Sequence, residues 1–213
     1  MSDDLRVQVY VTVAVRWLIP RLHRFQAANP NIVVRVNTSV LDWDFDSEIA
    51  DLGLVCTLDS ERPGLDYDLL FEALLCPACT PPLAQAGLGL RQPVDLVNHA
   101  LLQVYTTALD WQLWLDAAGV PNLKGRAAPQ FDSYLLAIEA ALDGQGVALA
   151  PHFMVAEDLR SGRLTRPFPI EVRQPARWYL ACQSDRAGER AIEAFRTWLK
   201  TEIAADPVML KAA

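Results

Sequence analysis

The chain has 213 residues, of which 52% are hydrophobic and 21% charged, a balance typical of a folded globular protein. This length suffices for one large domain or for two lobes that share a core. The 26 acidic and 19 basic residues give a net charge of −7. Because a DNA-binding surface neutralises phosphates with clustered Lys and Arg, this balance argues against DNA binding by the chain alone.

No apolar stretch is long enough to span a membrane, so no membrane partner is expected. The N-terminus, MSDD, lacks the basic and then apolar regions of a secretory signal. The sequence therefore predicts a cytoplasmic protein.

Strand and helix patterns alternate from the start of the chain. Residues 5–11 alternate between apolar and polar side chains and predict a strand. Thr12 is expected to cap a helix over 13–28, with a local kink at Pro20. A second strand is predicted at 32–36.

The rest of the chain continues this alternation. Helices are predicted at 110–118, after Ser133 and at 189–203. Strands that alternate with helices favour the α/β class, with parallel sheets covered by helices. The remaining strands are predicted at 51–55, 67–75, 101–105, 147–150 and 177–182.

Small polar residues follow several of the predicted strands. Parallel sheets bind ligands at the carboxyl ends of their strands, where helix N-termini point. Capping a helix or filling a turn explains each residue singly, but five such places together predict a polar ligand cleft. The five places are Thr12, Thr38–Ser39, Thr80, Thr106–Thr107 and Asp132–Ser133.

No catalytic constellation is found in the sequence. The glycines of 144–146 lie between a helix and the next strand, the reverse of a dinucleotide-binding fingerprint. His152 is the one histidine near the carboxyl end of a strand, and a surface or helix-cap role is the simpler interpretation than a general base. The carboxylates of segment 42–46 are expected in a solvated loop. The sequence therefore predicts a protein that is not an enzyme.

Cys76 and Cys79 form a CxxC pair. Redox pairs of this kind open a helix, whereas this pair ends an apolar strand and precedes prolines. A zinc site needs further ligands at suitable spacing, which Cys56, Cys182 and the three histidines do not supply. Buried or half-buried free thiols, with no metal and no cofactor, are the expectation.

The order of several motifs resembles the effector-binding domain of LysR-type transcriptional regulators. Segment 17–25, WLIPRLHRF, followed by the NP of 29–30, resembles the family's WLxPRLxxF opening. Segment 51–54, DLGL, resembles the family's third strand, and 77–81, PACTP, resembles its PVCSP motif.

The resemblance continues to the C-terminal part of the chain and covers roughly residues 5–202. Segment 111–119, WQLWLDAAG, resembles WxxWLxAAG. Segment 131–151 contains FD, AA and GQGVALAP at the family's spacing, and 162–168, GRLTRPF, resembles GxLVxPF. The combination is most similar to the branch that includes glycine-cleavage activators and β-lactamase regulators.

The resemblance implies a two-lobed, periplasmic-binding-protein-like (type II) α/β fold with two crossover strands, near residues 75–79 and 178–182. Lobe I would comprise 1–77 plus 180–213, and lobe II 78–179. The family's N-terminal winged helix-turn-helix, about 60 residues long, is missing here, so we expect an excised piece that begins with a linker remnant rather than a natural fragment. DNA would be bound only through that missing domain.

The resemblance also implies a small-molecule effector in the inter-lobe cleft, which modulates DNA binding of the full-length protein. It implies a homodimer or higher homo-oligomer, and we expect apolar contacts from Ile19, Leu136 and Ala140 on the helices that begin at Val13 and Asp132. The alternative is a free-standing solute-binding protein of a transporter.

Carried over by position, the ligand-binding residues lie at strand ends and helix starts. Segment 55–57 departs from the family's Arg-Tyr-Gly, and the missing arginine argues against a strongly charged carboxylate as the effector. The implied residues are Thr12, Thr38, Ser39, Thr80, Thr106, Thr107, Phe131, Ser133 and Trp178.

Overall fold

The computed structural model describes residues 3–39, 45–85, 87 and 89–210. They divide into two compact units: unit 1 within 1–73 and 175–213, and unit 2 over 74–174. The chain changes unit inside two long strands, β4 (Leu65–Ala78) and β8 (Val172–Gln183). The boundaries predicted from the sequence, 77/78 and 179/180, fall a few residues later in the same two strands.

Unit 1 contains a parallel sheet extended by an antiparallel strand. The order is β2-β1-β3-β8, with β1 parallel to β2 and β3, and β8 antiparallel to β3. Besides parts of β4 and β8, its elements are β1 (Asp3–Tyr10), α1 (Val11–Val13), a π-helical stretch (Ala14–Leu18), α2 (Ile19–Ala28), β2 (Ile32–Ser39), β3 (Leu52–Thr57), α7 (Arg190–Ala205) and α8 (Pro207–Leu210).

The first helix begins earlier than predicted and is distorted where Pro20 requires it. It starts at Val11 directly after β1, with Tyr10 in the N-cap position, so Thr12 lies inside the first turn and is not the cap. Because Pro20 has no N–H to donate to the preceding turn, the helix widens into the π-helical stretch just before it.

Helix α2 is held against α7 by aromatic packing. The Phe25 ring centroid lies 5.2 Å from that of Phe195 and 5.3 Å from that of Trp198. The Trp17 indole N–H donates to Asp206 Oδ2 at 2.9 Å. These contacts fix the first helix, and with it the carboxyl end of β1, in the core of unit 1.

Unit 2 is a second α/β unit with a similar sheet. The order is β4-β7-β5-β6, with β5 parallel to β6 and β7, and β4 antiparallel to β7. Besides parts of β4 and β8, its elements are α3 (Pro81–Gln85), a 3₁₀ helix (Pro93–Asn98), β5 (Leu101–Val104), a 3₁₀ turn (Tyr105–Thr107), α4 (Asp110–Ala117), β6 (Gln130–Phe131), α5 (Tyr134–Leu142), β7 (Val147–Pro151) and α6 (His152–Arg160).

The unit 2 sheet packs helices on both faces. Strand residues Leu101 and Leu149 belong to a core cluster with Trp111 and Trp114 of α4 and with Phe168. We call the side of the sheet that faces this cluster the α4 face. Because successive side chains on a strand point to opposite faces, Leu102 lies on the other face, which α5 covers. Neither α3 nor α6 was predicted: α3 is a short helix of five residues that begins with two prolines, and α6 begins directly after β7 with no polar residue between. Within the described part of the chain, no helix is long and apolar enough to cross a membrane.

Candidate functional site

Three of the predicted ligand-binding residues share one edge of unit 1. The parallel strands β1, β2 and β3 end together at this edge. Thr12 follows β1 and is fully buried. Strand β2 is longer than predicted, so Thr38 and Ser39 are its last two residues and do not follow it. Thr38 is exposed and Ser39 half-buried.

Trp178 lies near the same edge but in the core of unit 1. It pairs with Cys56 near the end of β3, and its indole stacks on Phe71 with centroids 5.8 Å apart and planes at 10°. The side chain is 0% exposed. An indole with no exposed surface does not form the cleft wall that the sequence suggested, and the stacking explains its position.

The corresponding edge of unit 2 brings together four predicted residues. Strands β5, β6 and β7 are parallel and end at this edge. Thr106 and Thr107 form the 3₁₀ turn after β5, Phe131 ends β6, and Ser133 precedes α5. The Thr106 hydroxyl donates to the Asp132 carbonyl at 3.0 Å and so joins the two connections.

Thr80 lies at the opposite edge of unit 2. It follows β4, and β4 runs antiparallel to β7, with Ala78 opposite Ala148 near the start of β7. Its hydroxyl lies 3.8 Å from the position that a Cβ would take at Gly144, beyond the C-terminal end of α5. The rule that strand ends converge holds only for parallel strands, so Thr80 does not join Thr106 and Ser133.

The N-terminus of α5 carries polar groups that the helix does not use. Ser133 is the N-cap residue, is 2% exposed and makes no capping hydrogen bond with its side chain. Asp132 Oδ1 is buried without a hydrogen-bond partner, whereas the Thr107 hydroxyl interacts with the Asp110 carboxyl. Capping therefore does not explain Ser133, and this end of α5 has spare capacity for hydrogen bonds.

Asp110 and Tyr134 form a buried pair beside this end of α5. The Tyr134 hydroxyl donates to Asp110 Oδ2. Burial raises the pKa of the Asp110 carboxyl, while the hydroxyls of Tyr134 and Thr107 oppose the rise. Sequence analysis missed this pair, because an acidic residue that opens a helix is ordinary and its partner is 24 residues away.

His152 follows β7 and is the first residue of α6. Its Nδ1 lies 3.2 Å from Glu171 Oε1, which also accepts a hydrogen bond from Arg166 Nη1 at 2.7 Å. His152 thus belongs to an ion-pair cluster. Of the acidic loop, Asp42 and Asp44 lie outside the described residues, and Asp46 Oδ1 accepts from the Glu48 amide.

All four cysteines are buried and none forms a disulfide. Burial raises the pKa of Cys76 and of Cys79 to about 12, so both thiols are protonated at neutral pH. The description as buried free thiols is confirmed. Across the described ranges, no group of three or more His, Cys, Asp or Glu residues could hold a metal ion.

The sequence matches the LysR substrate binding domain family over residues 1–204. It is 32% identical over 202 residues to a glycine cleavage system transcriptional activator from Escherichia coli strain K12, covering 95% of this chain and 66% of that protein. It is 39% identical over 198 residues to the transcriptional activator AmpR of Pseudomonas aeruginosa, covering 92% of this chain and 65% of AmpR.

Solved structures agree with this assignment. The effector domain of Pseudomonas aeruginosa AmpR superposes with a TM-score of 0.81 at 35% identity, covering 100% of this chain and 98% of that one. The effector-binding domain of Citrobacter freundii AmpR gives a TM-score of 0.80 at 27% identity, covering 96% and 100%.

The chain spans just under two thirds of the length of these curated relatives. The relatives are transcriptional regulators, not enzymes, and they give no support to the alternative of a transporter's solute-binding protein. The predicted α/β fold of the periplasmic-binding-like type II class is confirmed. The chain belongs to the LysR substrate binding domain family and is similar throughout to the effector domains of transcriptional regulators of this family.

Proposed function

We propose that this domain senses a small-molecule effector and thereby controls DNA binding by a cytoplasmic transcriptional regulator. DNA would be contacted by a part of the protein outside these residues. The acidic balance of the chain supports this division of roles, because a surface with net charge −7 repels phosphates. Effector binding would act by favouring one of two conformations of the regulator.

The observation that carries the proposal is the unused polar capacity at the α5 N-terminus. Buried polar groups in folded proteins are nearly always hydrogen-bonded, so an unsatisfied one needs an explanation. Asp132 Oδ1 is such a group, and the adjacent Ser133 makes no capping hydrogen bond with its side chain. A ligand that hydrogen-bonds to both residues would use this free capacity.

These groups favour an effector with both donors and acceptors. The Ser133 hydroxyl and the first N–H groups of α5 suit a carbonyl or carboxylate oxygen. Asp132 Oδ1 accepts only, and therefore suits an amide N–H or an ammonium group. The buried Asp110 nearby disfavours a strongly anionic ligand. An amino acid or a small peptide-like compound combines these features. Thr12, Thr38 and Ser39 of unit 1 are further candidate contacts, as is Phe131 of unit 2.

The test begins with a thermal-shift screen of amino acids, small organic acids and cell-wall fragments, followed by calorimetry of any hit. Ser133→Ala removes a hydroxyl from a buried contact and should cost about 1–3 kcal/mol, or roughly ten- to a hundredfold in affinity. Thr106→Val should also weaken binding, because it releases the Asp132 carbonyl.

Thr80→Val is the matched control. It removes the same kind of hydroxyl from the opposite edge of unit 2 and should leave the affinity unchanged. Wild-type affinity in both the Ser133 and Thr106 variants, with folding intact, would place the effector elsewhere and refute the assignment.

We also propose a homodimer or higher homo-oligomer that uses apolar helix surfaces. Ile19 on α2 is 54% exposed and Leu136 on α5 is 47% exposed. Ala140, expected to contribute, is only 5% exposed and belongs to the core. Leu136→Glu should weaken association in sedimentation experiments, because it places an unpaired charge in a dry contact. Leu109→Glu, on a residue that is 73% exposed, is the control; a monomeric wild type would contradict the proposal.

A further inference from the structure

A groove lies on the α4 face of the unit 2 sheet. Its volume is about 670 Å³, within the range of pockets that hold small-molecule ligands. Its lining combines buried apolar residues with exposed polar ones; the former include Leu101, Trp111 and Leu115, and the latter include Lys124, Arg126 and Gln130.

The charge of the groove is opposite to that of the chain. Lys124 and Arg126 are both exposed, and neither forms an ion pair with any residue in the described part of the chain. None of the described residues that line the groove is acidic. In a chain with a net charge of −7, two unpaired cations beside an apolar surface attract an anion.

The two cations belong to one segment of the chain. Gly125 lies so close to β5 that a Cβ there would be 2.5 Å from Leu101 Cγ and 2.6 Å from the His99 carbonyl oxygen. A β-bridge between Ala100 and Arg126 fixes the position of the segment along the sheet. Lys124 and Arg126 flank Gly125 in this segment, and both line the groove.

This groove is separate from the candidate effector contacts of unit 2. Leu101 and Gln103 line it from one face of β5. Ser133 opens α5, which packs on the other face of the same sheet. The sheet itself therefore separates the groove from the α5 N-terminus.

We propose that the groove is a second ligand site, which takes a small organic anion with an apolar body. The anionic group would lie between Lys124 and Arg126, and the apolar body would contact Ala108, Pro121 and Leu123, which are the more exposed apolar residues of the lining. Trp111, which is 5% exposed, supports the groove from below, and its indole N–H donates to the Leu102 carbonyl at 3.2 Å. The site goes beyond the proposed effector site and gives the domain a second ligand input.

The probe is 1-anilinonaphthalene-8-sulfonate, an aromatic sulfonate whose fluorescence rises on binding. We expect one saturable site on the folded wild-type domain. The double variant Lys124→Gln/Arg126→Gln should weaken binding roughly five- to thirtyfold, as expected for the loss of two partly exposed ion pairs. Arg91→Gln/Arg190→Gln changes the net charge equally and should leave binding unchanged.

Two further measurements locate the probe. The neutral N-phenyl-1-naphthylamine should bind the double variant as well as it binds wild type, because it lacks the sulfonate. Ala108→Trp, at an exposed groove position, should fill the groove and abolish binding of both probes. Circular dichroism confirms that each variant is folded.

The inference is overturned if the wild type has no saturable site for the sulfonate, or if the two double variants bind it equally. It is also overturned if Ser133→Ala weakens sulfonate binding as much as the groove variants do, since the probe would then occupy the α5 N-terminus. Failure of the groove variants leaves the effector assay on Ser133 unaffected, so the two proposals are tested independently.

Discussion

Both units contain buried aspartates, and two of these, Asp51 of unit 1 and Asp110 of unit 2, have opposite environments. In unit 1, Asp51 is 5% exposed and accepts hydrogen bonds from the Arg6 amide at 2.7 Å, from Arg6 Nη2 at 2.9 Å and from Arg186 Nη1 at 2.7 Å. Burial alone would raise its pKa, but these cationic partners outweigh burial and hold it at about 2. In unit 2, Asp110 is 8% exposed and accepts a hydrogen bond from the Tyr134 hydroxyl, and burial raises its pKa.

The difference separates a structural cluster from a binding surface. The Asp51 carboxylate uses both oxygens to join β1 to the chain before β3 and to the C-terminal part of the unit. Asp110 instead pairs with Tyr134, the first residue of α5, which follows Ser133 and Asp132, and Asp132 Oδ1 has no hydrogen-bond partner. In a saturated network every polar group has a hydrogen-bond partner, and such a network stabilises the fold. In an unsaturated network some polar groups lack partners and can still bind a ligand.

The largest effect should come from breaking the saturated cluster. Asp51→Asn leaves Arg6 and Arg186 without their carboxylate and should lower the free energy of unfolding by about 2–4 kcal/mol, measured by urea denaturation. Asp4→Asn removes a partner from the exposed pair with Arg35 and should cost less than about 1 kcal/mol. Equal losses in the two variants would show that the cluster has no special role.

Acid should reveal the same cluster without mutation. The folded pKa of Asp51, about 2, lies below the ordinary value of 3.8, so its stabilisation is present above pH 3.8 and is lost as the pH falls through 2. The loss between pH 4 and pH 2 should be about 2 kcal/mol more in wild type than in Asp51→Asn. Parallel pH profiles of unfolding free energy in the two proteins would contradict this.

A smaller effect is expected at the unit 2 pair. Tyr134→Phe removes the hydroxyl that donates to the buried Asp110 carboxyl and should cost about 1–2 kcal/mol in urea. Tyr105→Phe, on a residue that is 56% exposed, is the control and should be neutral. A neutral Tyr134→Phe would mean that Asp110 finds another partner.

The smallest effect should be that of Asp110→Asn, within about 1 kcal/mol, because an amide oxygen can still accept from Tyr134 and no ion pair is lost. The difference in unfolding free energy between Asp110→Asn and wild type should change with pH. Because the folded pKa of Asp110 is raised, the stabilisation from its protonated form is present below pH 3.8 and is lost as the pH rises through the folded pKa. The unfolding free energy of Asp110→Asn relative to that of wild type should therefore be higher at pH 7 than at pH 4. The opposite trend would contradict the raised pKa of Asp110.

Strand and helix order were readable from the sequence because they depend on local patterns. Alternating side chains mark β1, and Gly119, with a φ of +76°, ends α4 where predicted. Helix α6 escaped prediction because Pro151, taken only as the end of a strand, is also the N-cap position of the helix. A residue that both ends one element and begins the next gives a clear local signal for only one of the two.

The candidate site was predicted less completely, because strand direction is not a local property. Thr80 and Thr106 both follow apolar strands, and nothing near either residue tells that β4 is antiparallel and β5 parallel to β7. Trp178 likewise has an amphipathic side chain that suits a binding wall, and only the stacking with Phe71 shows that it is core.

The sequence by itself thus determined the family, the α/β class and the polar residues at strand ends, since each follows from residue order and spacing. Tertiary structure decided which of those residues share an edge, that the Ser133 side chain makes no capping hydrogen bond, and that Asp110 pairs with Tyr134. It also decided the contrast between Asp51 and Asp110. Burial raises the pKa of both carboxyls; at Asp51 two arginines from distant parts of the chain outweigh it, whereas at Asp110 the hydroxyl of Tyr134 does not.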